Sequence, residues 1–328
     1  MADVNLPTFA DIRTAAGRIA GHAVRTPLLA NHQLDRELGF RLRIKAEPLQ
    51  RTGSFKFRGA YNRIAQIDPK QTPGGVVAYS SGNHAQGVAA AAALRGLPAV
   101  IVMPEDSPRI KMRNVEGFGA RIVTFNRDTE DREAIARAIA AENGAVIVPP
   151  YDDPDIIAGQ GTVGLEIAEQ AKEAGLAVDH VIAPASGGGL IAGIALATAE
   201  LMPNAKVWCA EPAGFDDHAR SLARGERVAN AATSGSICDA LLARQPGELT
   251  FAINRSLLAG GHAATDAETQ AAIAFAFEHF KLVAEPGGAV ALAAVIKRRL
   301  EPEPDTTVVV VVSGGNVDRA GYCAALAA

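Results

Sequence analysis

Residues 180–201 read HVIAPASGGGLIAGIALATAEL. The first six residues form a largely apolar run without polar alternation, which is typical of a parallel strand covered on both faces. Three consecutive glycines interrupt the run, and apolar residues then continue for the length of a helix. A strand, a glycine loop and a helix in direct succession form the repeating unit of α/β proteins.

Similar apolar, β-rich runs recur along the chain, with helical stretches between them. They cover residues 42–48, 76–80, 99–104, 121–125, 145–149, 206–210 and 306–312. Asp153 before Pro154 predicts one helix start, and Thr265 with Glu268 predicts a capping box at another. Strand and helix alternation implies right-handed crossovers. We therefore predict an α/β fold with open, twisted, mostly parallel sheets and helices on both faces.

Length and composition narrow the class of protein. The 328 residues suffice for one large domain or two ordinary ones, and a net charge of -4 without a basic stripe argues against nucleic acid. The apolar stretches are short or broken by glycine, so we expect no membrane span. Three scattered cysteines without metal-ligand spacing argue against zinc and a disulfide framework. We expect a cytoplasmic protein.

A lysine-bearing segment follows the first predicted strand. Residues 51–60 read RTGSFKFRGA, and Lys56 lies near the start of a helix. The positive end of the helix dipole disfavours the ammonium form, which is one way to make a lysine amine reactive. Taken alone, the segment also suits an ordinary solvated helix lysine.

A polar segment follows the strand at residues 76–80. Residues 80–87 read SSGNHAQG and offer hydroxyls, an amide and backbone N–H groups at a helix start. Such a set suits a carboxylate ligand. A simple strand-to-helix turn with serine and asparagine caps would leave the same pattern.

Two further glycine loops end predicted strands. Residues 186–190, SGGGL, let backbone N–H groups converge on a phosphate. A competing interpretation is a nicotinamide-nucleotide loop, because Gly187, Gly189 and Gly193 are suitably spaced and Glu211 follows about 20 residues later. Residues 313–318, SGGNVD, form the other loop, which alone could be an ordinary turn.

Together, the four segments resemble the fold-type II pyridoxal 5′-phosphate (PLP) enzymes, a tryptophan synthase β-like class, in the serine/threonine dehydratase and serine racemase family. Their order and spacing agree from about Arg25 to Asp318. The resemblance implies a large PLP-binding domain, residues 1–75 and 149–328, and a small mobile α/β domain, residues 76–148. The cofactor would lie in the cleft between them.

The resemblance also assigns roles to residues. Lys56 would hold PLP as a Schiff base and move the substrate α-proton, and Ser81 would be a second catalytic acid/base, as in serine racemases. Ser313 would face the pyridine nitrogen. The remaining cofactor contacts would come from Phe55, Asn83, Ser186, Gly187, Gly188, Gly189 and Leu190. Substrate would be bound by Ser80, Ser81, Asn83 and His84.

The implied reaction is β-elimination from a small hydroxy amino acid, L-threonine or L-serine first, which gives a 2-oxo acid and ammonia. Serine racemase and 3-hydroxyaspartate dehydratase are alternatives within the family. A nicotinamide-dependent oxidoreductase or a non-catalytic binding protein is the alternative from another class. Ala240 stands where relatives often have glycine near the substrate, which leaves the substrate side chain open. Relatives also suggest a homodimer.

A second site is implied around Glu211. In residues 209–217, CAEPAGFDD, the resemblance makes Glu211, the Phe215 carbonyl and Asp217 ligands of a divalent cation. Carboxylate and carbonyl oxygens suit Mg²⁺, Ca²⁺ or Mn²⁺. A solvated acidic loop is the alternative interpretation.

Overall fold

The computed structural model describes residues 6–80, 82–107, 109–126 and 129–327. Its strands are β1 (Leu28–Ala30), β2 (Arg41–Ala46), β3 (Val76–Tyr79), β4 (Ala99–Pro104), β5 (Arg121–Phe125), β6 (Val146–Ile147), β7 (His180–Pro184), β8 (Lys206–Pro212), β9 (Leu258–Ala264) and β10 (Thr307–Val312). Its α-helices are α1 (Phe9–Ile19), α2 (His32–Leu38), α3 (Lys56–Ile64), α4 (Asn83–Arg95), α5 (Arg109–Gly117), α6 (Arg132–Asn143), α7 (Pro154–Glu173), α8 (Gly189–Leu201), α9 (Asp217–Arg224), α10 (Glu248–Leu257), α11 (Asp266–Phe280), α12 (Pro286–Ile296) and α13 (Arg319–Ala327). Among these helices, none is both long and apolar enough to cross a membrane.

The strands form two sheets. A six-stranded sheet has the order β1-β2-β10-β7-β8-β9, and a four-stranded sheet has the order β5-β4-β3-β6. Only the β1–β2 pair is antiparallel among the described strand pairs. The predicted α/β class with mostly parallel sheets is confirmed. Sequence analysis missed β1, which has three residues, and β9, whose glycines break up its apolar pattern.

The valine-rich strand β10 explains why the six-stranded sheet is covered on both faces. Val308, Val310 and Val312 belong to one apolar cluster, which also contains residues of α11 and α12. Val309 and Val311 belong to another, with residues of α7 and α8. Side chains alternate across a strand, so a run of valines supplies both clusters at once. All five side chains are fully buried.

The apolar cluster beside the four-stranded sheet includes residues from outside that sheet's own segment. Phe57, Tyr61 and Ile64 of α3 pack with side chains of β3, β4 and α4. The cluster therefore joins residues on both sides of the predicted boundary at 75/76. The division into residues 1–75 plus 149–328 and residues 76–148 stays a prediction.

A buried ionic network fixes the start of α3, where Lys56 lies. The Arg58 guanidinium pairs with Glu47 at 2.8 Å and with Glu166 at 2.6 Å, and Lys45 donates to Glu166 at 2.6 Å. Because each buried charge has partners of opposite sign, the desolvation cost is offset. The network ties α3 to β2 and α7, and so sets the position of Lys56.

Candidate active site

A cleft of about 710 Å³ lies where loops from both sheets meet. Its walls include the loops that follow β3, β7 and β10, as expected at the carboxyl ends of parallel strands. The predicted site residues that line it are Phe55, Lys56, Ser80, Asn83, His84, Ser186, Gly187, Gly188, Gly189, Leu190 and Ser313. Segments from opposite ends of the chain therefore share one cavity.

Lys56 extends its amine into this cleft from the first residue of α3. Its Nζ donates a hydrogen bond to the Pro150 carbonyl oxygen at 2.6 Å and lies 5.2 Å from the Phe55 ring centroid. Burial disfavours the ammonium, and it lowers the pKa of Lys56 to about 8. The neutral, nucleophilic amine is therefore accessible at mildly alkaline pH.

The start of α4 forms a second wall of the cleft. Gly82 N–H donates to Ser80 Oγ at 3.2 Å, and Asn83 and His84 are the first residues of the helix. His84 Nε2 lies 2.9 Å from the Val148 carbonyl oxygen, and burial lowers the pKa of His84 to about 3. The imidazole is therefore neutral and donates to this carbonyl. Ser81, the predicted second acid/base, lies outside the described residues.

Asn83 has partners at both ends of its amide. Its Nδ2 donates to Glu285, and its Oδ1 accepts from Asn316 Nδ2 at 2.7 Å. Burial raises the pKa of Glu285 to about 7. Asn316 belongs to the fourth sequence segment, so the second and fourth segments meet through this amide.

The triple-glycine loop presents unused donors at the start of α8. No hydrogen bond within the described part of the chain uses the backbone N–H groups of Gly187, Gly188 or Gly189. Their carbonyl side is anchored, because Thr250 Oγ1 donates to the Gly187 carbonyl at 2.6 Å. Gly188 has a φ of +96°, the left-handed region that favours glycine. The loop is therefore a fixed, positively polarised pocket for an anion.

Ser313 ends β10 beside the lysine segment. Its carbonyl accepts from the Phe55 N–H at 3.1 Å, and its backbone N–H donates to Gly288 at 3.3 Å. No hydrogen bond of the described chain uses its hydroxyl, although the residue is only 5% exposed. The hydroxyl is thus available to a group in the cleft.

These features fit PLP. An amine that can become neutral faces the cleft, unpaired N–H groups at a helix start suit a phosphate, and the Ser313 hydroxyl suits a ring nitrogen. A Cβ at Gly187 would come within 2.3 Å of the Tyr151 ring, so the loop keeps its shape only with glycine there.

The predicted cation ligands lie apart from the residues that line the cleft. Glu211 is in β8 and Asp217 is the first residue of α9, both fully buried, while Phe215 is in the turn between them. Glu211 Oε1 and Oε2 accept from the N–H groups of His218 and Ala219 at 2.9 and 2.8 Å. Burial raises the pKa of Glu211, and it raises the pKa of Asp217 to about 6. Two carboxylates that resist ionisation alone are suited to a cation.

Comparison with known proteins agrees with this geometry. The family model described as "Pyridoxal-phosphate dependent enzyme" matches residues 19–314. An L-threo-3-hydroxyaspartate ammonia-lyase of Saccharomyces cerevisiae is 39% identical over 317 residues, which are 97% of this chain and 95% of the relative. Among solved structures, a threonine deaminase from the source abbreviated T.th. is 41% identical with a TM-score of 0.90, over 95% of this chain and 99% of that one. Maize serine racemase is 38% identical with a TM-score of 0.91, over 98% and 97%.

The fold and the cleft define a two-sheet α/β enzyme that uses a lysine amine and an anion-binding glycine loop. The chain belongs to the family of pyridoxal-phosphate dependent enzymes, with fold-type II members as its structural neighbours. Gly187, Gly189 and Gly193 are therefore not evidence for a nicotinamide nucleotide. Glu211 caps α9 instead of facing the cleft.

Several cleft residues were missed from the sequence. Glu285 and Tyr151 both line the cavity, and Pro150 supplies the carbonyl that holds the Lys56 amine. Pro150 and Tyr151 directly follow a predicted strand, which was an available signal. Glu285 precedes Pro286 at the start of α12, a pattern that indicates a helix start and nothing about a cleft.

Proposed function

We propose that this enzyme eliminates water and ammonia from a small hydroxy amino acid, with L-threonine or L-serine as the principal substrate and a 2-oxo acid and ammonia as products. The observation that carries the proposal is the Lys56 amine, which lies in the same cleft as the glycine loop and the start of α4. The relatives support the reaction type, since lyases and a racemase of hydroxy amino acids match nearly the whole chain.

The residues of the chain divide the work. Lys56 would hold the cofactor aldehyde and, once released, take the substrate α-proton, for which its pKa of about 8 is suited. The N–H groups of residues 187–189 would hold the cofactor phosphate, and Asn83 would contact the ring hydroxyl. When bound, PLP supplies an electron sink for charge at the substrate Cα. Ser313 offers a neutral hydroxyl to the ring nitrogen, which favours prompt elimination over transamination.

The start of α4 would bind the substrate carboxylate. Ser80, Ser81, Asn83 and His84 belong to this segment, and helix N–H groups attract an anion. The side chain of His84, neutral and bound to Val148, would hold the loop in place. Ser81 would act on the opposite face of the cofactor as a second acid/base, which would give the same site serine racemisation as a side activity.

A second candidate substrate is 3-hydroxyaspartate. Arg132 lines the cleft with its guanidinium carbon 5.6 Å from the Tyr79 ring centroid, and Lys111 also lines the cleft. A guanidinium is suited to a second substrate carboxylate. Two relatives named L-threo-3-hydroxyaspartate ammonia-lyase, at 39% and 40% identity, support this choice.

The test is a substrate panel with L- and D-serine, L- and D-threonine and the 3-hydroxyaspartate isomers, in which 2-oxo acid formation and enantiomer exchange are measured together. We expect 2-oxo acid and ammonia from at least one L-hydroxy amino acid. Arg132→Met should lower kcat/KM at least tenfold for 3-hydroxyaspartate and less than threefold for threonine. Equal losses would remove the second candidate.

Lys56→Ala provides the control for the chemistry. Borohydride treatment of the wild-type enzyme should bleach its visible absorption band and fix the cofactor mass on the peptide that contains Lys56. The variant should show neither effect and should lose elimination activity by several orders of magnitude. A Lys56→Ala protein with the wild-type rate on every substrate would refute the proposed reaction.

We also propose a homodimer and a divalent cation held by Glu211, Asp217 and the Phe215 carbonyl. Leu49 and Val283 are 52% and 45% exposed and neighbour Pro48 and Gly315, so a partner subunit could cover them. Sedimentation equilibrium should give twice the chain mass. A monomer at micromolar concentration would contradict the dimer.

A further inference from the structure

The predicted cation centre contains a third potential ligand, which the prediction from carboxylate and carbonyl oxygens did not include. One ring nitrogen of His218 and one oxygen each of Glu211 and Asp217 lie within 4.8 Å of one another. All three side chains are fully buried. Two ligands about 2.2 Å from one ion are at most about 4.4 Å apart, so the three groups need to close by only a few tenths of an ångström.

Polar atoms without partners point to an ion at this position. Asp217 Oδ2 and His218 Nδ1 have no hydrogen-bond partner, although both are buried. Neither Glu211 nor Asp217 forms an ion pair with a lysine or arginine of the described chain. Buried carboxylates and an unpaired imidazole nitrogen are costly unless something binds them.

The other side of the imidazole is already arranged for metal binding. His218 Nε2 lies 2.9 Å from the side-chain amide of Asn254, whose Oδ1 is buried without a partner. A flip of this amide exchanges its nitrogen and oxygen, so that Oδ1 accepts from Nε2–H and Nδ1 keeps its lone pair. Ligating histidines regularly donate their second N–H to such an acceptor.

We propose that His218 Nδ1 ligates a divalent ion together with Glu211 and Asp217, and that this nitrogen makes the centre select Mn²⁺ over Mg²⁺ and Ca²⁺. Imidazole binds first-row transition ions in preference to the hard alkaline-earth ions, and Mn²⁺ also accepts carboxylate and carbonyl oxygens. The proposal goes beyond the reaction proposed above and does not depend on it.

The test uses tag-free, cofactor-loaded enzyme from which metals have been removed by chelation. Calorimetric titration should give one Mn²⁺ per chain, bound at least tenfold more tightly than Mg²⁺ or Ca²⁺. His218→Gln should reduce this preference at least fivefold, and His32→Gln, in a histidine whose side chain is 82% exposed, should leave it unchanged.

Pulsed electron paramagnetic resonance provides a second readout that does not require a folded variant. The wild-type Mn²⁺ complex should show ¹⁴N modulation from a bound imidazole, and the complex of His32→Gln should show it equally. Its absence in the wild type would overturn the assignment of His218. Equal affinities for Mn²⁺ and Mg²⁺, or no stoichiometric ion at all, would overturn the proposed selectivity.

Discussion

Individual side chains of the cleft owe their properties to burial and to one or two partners. Lys56 carries a lowered pKa because its amine is buried, and Asn83 is held between Glu285 and Asn316. The carboxyl group of Glu285 has a raised pKa for the same reason, burial. A buried group can therefore resist its ordinary charge state in the same cavity where another group needs that property for chemistry.

At the residue scale, Glu285 should make the stability of the cofactor-free protein depend on pH. Its pKa is about 7 in the folded chain and 4.5 for an ordinary glutamate. Between these pH values the folded state binds more protons than the unfolded state, so stability falls as pH rises. From pH 4.5 to 8 the wild type should lose roughly 3 kcal/mol relative to Glu285→Gln.

Urea unfolding at about pH 5 and about pH 8 measures this difference in the free energy of unfolding. Glu301→Gln, which changes an exposed glutamate, should give the same pH dependence as the wild type. If the Glu285→Gln and wild-type curves run parallel, Glu285 is not protonated in the folded protein.

The second scale is the secondary-structure element, and α8 with its preceding loop is the clearest case. The helix begins at Gly189 directly after the loop that follows β7, so its unpaired N–H groups face the cleft. Two neighbouring segments hold the loop from behind. Asp152 accepts from the first N–H groups of α10, and α10 in turn supplies Thr250 to Gly187. An anion site thus depends on a helix that contributes nothing to the cleft chemistry directly.

Gly188→Ala should lower the affinity for PLP at least tenfold. Alanine is strained at a φ of +96°, and its Cβ would come within 2.7 Å of the His218 ring. A strain of about 1–2 kcal/mol converts to roughly tenfold in the dissociation constant. Fluorescence titration of the apoenzyme with PLP measures it.

Gly17→Ala is the matched control, because Gly17 lies in α1 with nothing within 4 Å of the added Cβ. It should leave PLP affinity unchanged and should stabilise the protein slightly. An affinity of Gly188→Ala within twofold of the wild type would contradict the proposed role of the loop.

At the scale of the whole molecule, the cleft brings together the two sheets. Lys111 of α5, on the side of the four-stranded sheet, pairs with Asp239 in the segment before α10. Both side chains line the cleft, so the pair connects its two walls. We propose that residues 76–148 move toward the rest of the chain around the substrate, and that this pair favours the closed arrangement.

Lys111→Met and Asp239→Asn should each raise KM for the amino acid about two- to fivefold at low salt, since a partly exposed pair contributes up to about 1 kcal/mol. The double variant should be no worse than either single variant, because both remove the same interaction. High salt should reduce the effect by screening.

Steady-state kinetics of the three variants at low and high ionic strength measure this coupling. Arg299→Met, which removes a pair with Glu268 outside the residues that line the cleft, is the control and should leave KM unchanged. Additive losses in the double variant would mean that Lys111 and Asp239 act separately.

The sequence by itself determined the α/β class, most strand positions, the family and the loops that line the cleft. Apolar runs of strand length and glycines before helices are local patterns, so they are readable along the chain. The strands predicted at residues 99–104 and 121–125 have the bounds of β4 and β5. Ser81 lies outside the described residues, and its role as second acid/base stays a prediction, as do the other residue roles.

Only the tertiary structure decided which side chains from distant segments meet. Glu285 reaches Asn83 across 202 residues, and Lys56 reaches the Pro150 carbonyl across 94. Neither partner has a local pattern that marks it. His218 meets Asn254 behind the glycine loop for the same reason. Contacts of this kind depend on how helices and strands pack, and burial of each group, which shifts its pKa, exists only once they have packed.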